Sequence, residues 1–94
     1  MHDERFEWHD RKARTNIRDH GVTFQDATEV FDDEASIDEI EDSIDYGEER
    51  WTMLGMANGR LIVVIYTMRG TRFRIISARK ADPHEQERYF DQGR

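Results

Sequence analysis

The sequence lacks cysteine altogether, which excludes disulfide bonds, thiolate catalysis and cysteine-based zinc sites. It contains one proline and six glycines in 94 residues, and no repeat or low-complexity tract is present. It also lacks an apolar run near the roughly 20 residues that a membrane-spanning helix needs, and its first residues do not have the pattern of a signal peptide. We therefore expect a single domain over residues 1–94, located in the cytoplasm.

Basic residues are outnumbered, with 14 bases against 21 acids and a net charge of −7. The charge is unevenly distributed, because residues 25–50 contain twelve acids and one base, whereas residues 51–81 contain six bases and no acid. A polyanion responds to the local field rather than to the total charge. The basic region is therefore compatible with RNA binding, and equally with solvated strand residues that pair with acids elsewhere.

The first half of the chain predicts a short strand and two helices. The aromatic run at residues 6–8 suits a strand. We expect Asp10 to cap a helix that stops at Gly21, and Thr23 to cap a second helix. Residues 34–48 combine isoleucines at helical spacing with acids that would repel one another along a helix, so we favour an edge strand followed by an acidic loop.

The second half predicts an antiparallel meander and a final helix. Strands are expected over residues 50–56, 60–68 and 72–80. Turn signals at Asn58-Gly59 and Gly70-Thr71 separate these strands. The segment 82–85 reads Asp-Pro-His-Glu, the pattern of a helix start, and Tyr89 and Phe90 are the expected docking residues of that helix. The predicted class is α+β, with a short N-terminal strand and two helices packed on an antiparallel β-meander that is followed by a C-terminal helix.

Strand alternation and turn position predict which basic residues meet. Simple alternation along the last strand places one set of side chains on one face and one on the other. The two sets are Phe73, Ile75, Ser77 and Arg79, against Arg74, Ile76, Ala78 and Lys80. A turn at Gly70-Thr71 then brings Arg60 close to Arg79 and Lys80 at one end of the sheet.

Other charged residues gather at the opposite end of the same two strands. Arg69 and Arg72 flank the turn, about 25 Å from Arg60 for eight residues at about 3.3 Å each. The same reasoning across Asn58-Gly59 places Glu49 near Thr67, close to Arg69. The sequence leaves open which of the two ends is the functional one.

With these elements in place, the sequence resembles the BrnT family of toxins, whose fold is related to that of the RelE ribonucleases. The matching residues extend over nearly the whole chain, and their order and spacing together are specific. They are Phe6-Glu7-Trp8, Lys12-Ala13, Asn16, His20-Gly21-Val22, Phe24, Ala27, Val30-Phe31, Asp33, Gly47-Glu48-Glu49-Arg50-Trp51, Leu54-Gly55, Gly59-Arg60-Leu61, Val63-Val64, Tyr66-Thr67, Arg69, Arg74-Ile75-Ile76-Ser77-Ala78-Arg79-Lys80-Ala81, Glu87 and Tyr89. The chain departs from the family pattern at His9-Asp10, where Asp-Pro is common, and at Asp19, where a base is frequent.

The resemblance implies a RelE-like fold and a function. It implies the toxin of a type II toxin–antitoxin system, an endoribonuclease that needs no metal or other cofactor and that inhibits translation and growth. It also implies a BrnA-type antitoxin with a DNA-binding domain, which forms a heterotetramer with the toxin and represses their promoter. Relatives with this fold use basic residues from the start and end of the two long strands, which favours Arg60 and Arg79, whereas BrnT-type patterns also retain Lys12, Glu49 and Arg69.

The chemistry fits these residue types, because RNA carries its own nucleophile, the 2′-hydroxyl, beside each phosphate. A planar guanidinium stays ionised and matches the geometry of a phosphate. Our hypothesis therefore assigns catalytic candidates and further RNA contacts. The catalytic candidates are Arg79 and Arg60 on the phosphate, Arg69 at the other end, Lys12 on the neighbouring backbone and Glu49 as proton acceptor, and the further RNA contacts are Lys80, Arg72 and Arg74.

Simpler interpretations of the same residues stand beside this hypothesis. Arg60 follows a turn, where a solvated base is ordinary, and Arg79 has the position to bridge to an acid of the last helix. Glu49 has the ordinary role of pairing with a neighbouring base. The four histidines show no metal-ligand spacing. The alternative function is a catalytically inactive module that only pairs with a DNA-binding antitoxin.

Overall fold

A five-stranded mixed sheet with three helices makes up the computed structural model, which describes residues 1–41 and 48–92. The elements in chain order are β1 (Phe6–Glu7), α1 (Asp10–His20), α2 (Phe24–Val30), β2 (Ile37–Glu41), β3 (Arg50–Ala57), β4 (Arg60–Arg69), β5 (Arg72–Lys80) and α3 (Pro83–Asp91). The predicted α+β class and element order are confirmed. None of the helices in the described part of the chain is long and apolar enough to cross a membrane.

The strands lie in the order β1-β5-β4-β3-β2. Strands β2 to β5 pair antiparallel with one another, and β1 joins the far edge by pairing parallel to β5. The predicted edge strand within residues 34–48 is confirmed as β2, whereas the acidic loop expected after it lies mostly outside the described residues. The Asn58-Gly59 turn is also confirmed, because both residues have positive φ, 50° and 75°, as a type I′ hairpin requires.

The helix ends follow local capping chemistry with one correction. The prediction that Asp10 caps α1 is wrong, because the His9 side chain accepts the hydrogen bond from Arg11 N–H and Asp10 is the first helical residue. Gly21 ends α1 in the left-handed region, at φ 68°, as predicted. Thr23 caps α2, and the capping box of α3 forms between Asp82 and Glu85.

The core lies between α1, α2 and one face of the sheet. Its fully buried side chains include Phe24 of α2, Ile62 and Val64 of β4, and Ile75 of β5. A smaller cluster on the opposite face joins Leu54, Val63, Ala81 and Tyr89. Of the two predicted docking residues of α3, Tyr89 is buried, but Phe90 is 59% exposed, so that half of the prediction is wrong.

The free edge of β5 is completed by a side chain instead of a strand. The amide group of Asn16 donates to the carbonyl of Ala78 at 2.8 Å and accepts from its N–H at 3.1 Å. It also donates to the carbonyl of Val22 at 2.9 Å. Asn16 is buried, and these bonds satisfy backbone groups that burial would otherwise leave unpaired. Asn16 therefore fixes α1 against the edge of the sheet.

Candidate functional site

The sheet face opposite α1 and α2 carries most of the predicted basic residues. We call it the arginine face and define it by Arg69, Arg72, Arg74 and Arg79. Residues paired across antiparallel strands point to the same side, so Arg79 shares its side with Val63, Arg74 with Thr67, and Arg72 with Arg69. The contacts of Tyr89 and Ala81 with Leu54 and Val63 place α3 over only one end of this face.

A β-bulge assembles this face. Ser77 pairs with Ile65 and Ile75 pairs with Tyr66, which leaves Ile76 without a partner in β4. The extra residue reverses the alternation, so Ser77 and Arg79 join Arg72 and Arg74 instead of lying beside Phe73 and Ile75. The alternation predicted for β5 is therefore wrong beyond Ile76. The bulge brings Arg79 to the same face as the other arginines of its strand.

Among the four arginines of this face, Arg79 makes the most extensive contact with a carboxylate. Its two Nη atoms donate to the two carboxylate oxygens of Glu85, each at 2.8 Å, in a bidentate pair. The hydrogen bonds from Arg79 and from the backbone N–H of Asp82 lower the pKa of Glu85, outweighing the effect of burial. The hydrogen bonds to Glu85, together with the negative charges of Glu85, Asp82 and Glu41, raise the pKa of Arg79 against the opposing effect of burial. A bridge to an acid of the last helix was one sequence-based interpretation of Arg79, and it is confirmed; the side chain nevertheless stays 41% exposed.

A second pair forms where β1 meets β5. Glu7 and Arg74 are partners in the parallel register, and Arg74 Nη1 donates to Glu7 Oε2 at 2.5 Å. Both side chains are partly exposed. Within the described residues, the other carboxylate oxygen, Oε1, has no hydrogen-bond donor. This carboxylate thus keeps an acceptor site on the arginine face.

The far end of the face joins Arg69 and Arg72, as predicted. Their Cα atoms are direct partners across the turn. Arg69 lies 3.7 Å from Glu48, and Arg72 Nε donates to the backbone carbonyl of Asp3 at 2.5 Å. The position predicted for Glu49 is confirmed, because its carbonyl accepts the hydroxyl of Thr67 at 2.6 Å. The Glu49 side chain is exposed, and no described hydrogen bond or ion pair joins it to the arginines.

The predicted meeting of Arg60 with Arg79 is wrong. Arg60 lies on the opposite face of the sheet, where its guanidinium contacts Asp26 at 3.3 Å and the carbonyl of Gly21 at 3.4 Å. Lys80 pairs with Ile62, a residue of the core under α1 and α2, so it points to the Arg60 side. The physical reason is the shift of register at the bulge, which sets Arg79 across from Val63 rather than beside Arg60.

Lys12 reaches the site from a different element. It is an exposed residue of α1 and lines a cleft of about 250 Å³ at the edge of β5. Ser77, which belongs to the arginine face by its pairing with Ile65, lines the same cleft. Lys12 is therefore placed to contact a ligand that crosses from the arginine face over the β5 edge.

The arrangement is suited to holding an extended anion. Between Arg79 and Arg74 lies a half-buried strip without charge, formed by Ser77, Ile65 and Thr52. A guanidinium has five N–H donors, so an arginine that holds a carboxylate retains donors for a phosphate. No group of three histidine or carboxylate side chains in residues 1–41 and 48–92 is arranged to hold a metal ion.

Sequence reasoning found the acids of this site only in part. It allowed for a bridge from Arg79 to an acid of the last helix but did not single out Glu85, which it named only as part of the helix start. Glu7 lies 67 positions from Arg74, and only the parallel β1–β5 register brings them together. The one available signal was that Glu7 is part of the aromatic motif at residues 6–8.

A family model matches most of the chain. The family is described as "Ribonuclease toxin, BrnT, of type II toxin-antitoxin system", and the match covers residues 8–85. No curated protein matches the sequence at a significant level. The family match includes α1, α2 and the whole β2–β5 region, together with the start of α3.

Proposed function

The chain belongs to the BrnT family of type II toxin ribonucleases, and from this premise we propose that it cleaves RNA bound on the arginine face. The observation that supports this placement is the gathering of Arg69, Arg72, Arg74 and Arg79 on one side of the sheet. An uncharged strip separates Arg79 from the other three, so a single-stranded RNA has room to lie between the arginines that would contact its phosphates. Lys12 extends the path at the β5 edge.

The proposed reaction uses the 2′-hydroxyl of the substrate as nucleophile and needs no metal. The hydroxyl attacks the adjacent phosphorus, the bond to the 5′-oxygen breaks, and a 2′,3′-cyclic phosphate remains. Arg79 and Arg74 stabilise the negative charge that develops on the phosphoryl oxygens. Arg72, Arg69 and Lys12 hold the flanking backbone and align the attack.

Arg60 and Lys80 lie outside this proposed site because their side chains are on the other face of the sheet. We retain Glu49 only as a residue near the Arg69 end, since its exposed side chain has no described contact with Arg74 or Arg79. This assignment differs from the sequence-based hypothesis, and the difference can be measured.

A type II toxin acts beside an antitoxin, and we propose a BrnA-type partner with a DNA-binding domain, assembled with the toxin as a heterotetramer that represses their promoter. The toxin would act in the cytoplasm, where RNA cleavage inhibits translation and growth. Expression of the chain alone should arrest growth, and co-expression with the adjacent gene should restore it. Growth that is unaffected by the lone chain would contradict this proposal.

The test of the site compares single substitutions in purified protein with RNA in EDTA. Arg79→Ala should lower the cleavage rate by at least about 100-fold, as expected for loss of a group that stabilises transition-state charge. Arg60→Ala should retain the rate within a few-fold, as should Arg18→Ala, a change at an exposed arginine of α1. Circular dichroism and thermal unfolding verify that each variant is folded.

Two results would contradict the proposal. Equal losses of cleavage rate in Arg60→Ala and Arg79→Ala would show that Arg60 belongs to the site. RNA that stays intact with the wild-type protein would favour the alternative, a module that only pairs with an antitoxin. The guanidinium of Arg79 is already paired with the Glu85 carboxylate, and this ion pair is compatible with that alternative.

A further inference from the structure

We infer that Glu7 is the proton acceptor of the reaction and that Arg74 holds the phosphate beside it. The inference rests on the proposed function and adds a residue that the resemblance to toxins gave no role. Attack by a 2′-hydroxyl is faster when a positioned base removes its proton, and the base must lie within hydrogen-bond reach of that hydroxyl.

The acids beside the arginines differ in how many of their carboxylate oxygens remain free to accept a hydrogen bond. Both carboxylate oxygens of Glu85 accept from Arg79, and one also accepts from the N–H of Asp82. Glu48 lies near two guanidinium groups, those of Arg50 and Arg69. The Glu7 carboxylate has a single described partner, Arg74, and its second oxygen has none among the described residues. Of these three carboxylates, Glu7 is therefore the one with an oxygen free to accept a further hydrogen bond.

The position of Glu7 also fits the reaction. The Glu7–Arg74 pair lies at the edge where β1 meets β5, and the side chain of Glu7 remains 19% exposed and that of Arg74 26%. The carboxylate and the guanidinium are in contact, so a phosphate on the remaining Arg74 donors would lie next to the free oxygen of Glu7. The adjacent 2′-hydroxyl of the same nucleotide then comes within reach of that oxygen.

The step balances without a cofactor. The 2′-hydroxyl proton moves to the Glu7 carboxylate as the bond from the 2′-oxygen to phosphorus forms. The bond from phosphorus to the 5′-oxygen breaks, and the 5′-oxygen takes a proton from water. Glu7 later releases its proton to solvent, which restores the carboxylate.

Other charged groups face Glu7 and bear on its pH dependence. Arg74 faces it from β5, with Arg72 two residues along the strand. The backbone of His2 pairs with Glu7 in an isolated antiparallel bridge, which places His2 beside it on the other side. Because His2 carries an ionisable imidazole, its contribution must be separated from that of Glu7 by substitution.

The experiment measures cleavage and binding in Glu7→Gln. The amide keeps an oxygen for Arg74 but accepts no proton at neutral pH, so cleavage of a short RNA should fall by about 100- to 10,000-fold. Binding of the same oligonucleotide with 2′-deoxyribose at the cleaved position should be unchanged or tighter, because a negative charge near the phosphate is removed. A structural role for Glu7 would weaken binding and cleavage together.

The pH profile gives the second readout. The wild-type rate should fall on acidification as the carboxylate takes up a proton, and this decline should be absent from the residual rate of Glu7→Gln. His2→Gln should retain the decline. Glu4→Gln, the same change at a nearby exposed glutamate, should retain both rate and profile.

The outcomes separate the two proposals. Cleavage by the wild type together with a rate within about threefold in Glu7→Gln would overturn the role of Glu7 alone. Joint loss of binding and cleavage in this variant would also overturn it, in favour of a structural pair. Absence of cleavage by the wild type would overturn the proposed ribonuclease function and this inference with it.

Discussion

The two faces of the sheet are formed by the same strands, yet different interactions stabilise them. Under α1 and α2, side chains such as Phe24, Ile62 and Ile75 are almost completely removed from water. The arginine face instead carries half-exposed ion pairs such as Arg79–Glu85. Apolar burial contributes about 25 cal/mol per Å², whereas an exposed ion pair adds at most about 1 kcal/mol. The first face therefore holds the fold together, and the second can exchange its contacts for a ligand.

The largest expected effect separates two phenylalanines by burial. Phe24 is 0% exposed and Phe90 is 59% exposed. Phe24→Ala should lower the free energy of unfolding by about 3–5 kcal/mol, because it removes buried surface and leaves a cavity. Phe90→Ala should change it by about 0.5 kcal/mol or less. Urea titration measures both, and comparable losses in the two variants would contradict the contrast between buried and exposed positions.

A smaller but clear loss is expected at the polar contact between α1 and β5. Asn16→Asp keeps the size of the side chain but removes the amide donors that bind the carbonyls of Val22 and Ala78. A buried carboxylate would then face two carbonyl oxygens, at a cost of about 2 kcal/mol or more. Thermal unfolding at pH 7 gives the measurement. A variant as stable as the wild type would show that Asn16 does not close the sheet edge.

The smallest expected effect is the coupling of Arg79 and Glu85, which a double-mutant cycle with Arg79→Ala and Glu85→Ala can isolate. At pH 7 the coupling should be about 1 kcal/mol, since Arg79 is 41% exposed and water screens the pair. The pKa of Glu85 is lowered in the folded state from its ordinary 4.5. The contribution is therefore complete above the unfolded-state pKa and is lost as the pH falls through the folded-state pKa.

Cycles at pH 7 and at progressively lower pH provide the check, with the other acids cancelling in the double difference. A coupling that persists when Glu85 is protonated would contradict the ionic origin of the contact. The coupling between Arg60 and Asp26 should be similar, because that pair is also partly exposed. A similar value would confirm that ion pairs on either face add little to stability.

Local chemistry made much of the fold predictable. Asn58-Gly59 set its hairpin because a type I′ turn needs two residues that tolerate positive φ. Asp82 and Glu85 form a capping box at the predicted start of the last helix for the same kind of local reason. The single cap that was wrong, His9 instead of Asp10, lies one position away from the prediction. The meeting of Arg69 with Arg72 followed from the position of one turn.

The candidate site was less predictable, since it depends on contacts between distant parts of the chain. Of the eight candidates, four lie on the arginine face, Arg60 and Lys80 lie on the opposite face, and Lys12 and Glu49 lie outside the strands. The strict alternation of side chains between the two faces fails wherever a strand contains an extra residue. The residue types around Ile76 did not indicate such a bulge. The partnership of Glu7 with Arg74 requires β1 to pair parallel to β5, which no periodicity predicts.

The sequence by itself determined where helices and turns begin, because caps and left-handed residues act within a few positions, and it determined a basic second half beside an acidic middle. Only the tertiary structure decided which side chains share a surface. Three features of the tertiary structure select the arginines that face outward and the acids that meet them. They are the unpaired Ile76 in β5, the docking of β1 at the far edge, and the position of α3 over one end of the sheet. Such contacts join residues far apart in the chain, and their free energy depends on the packed whole.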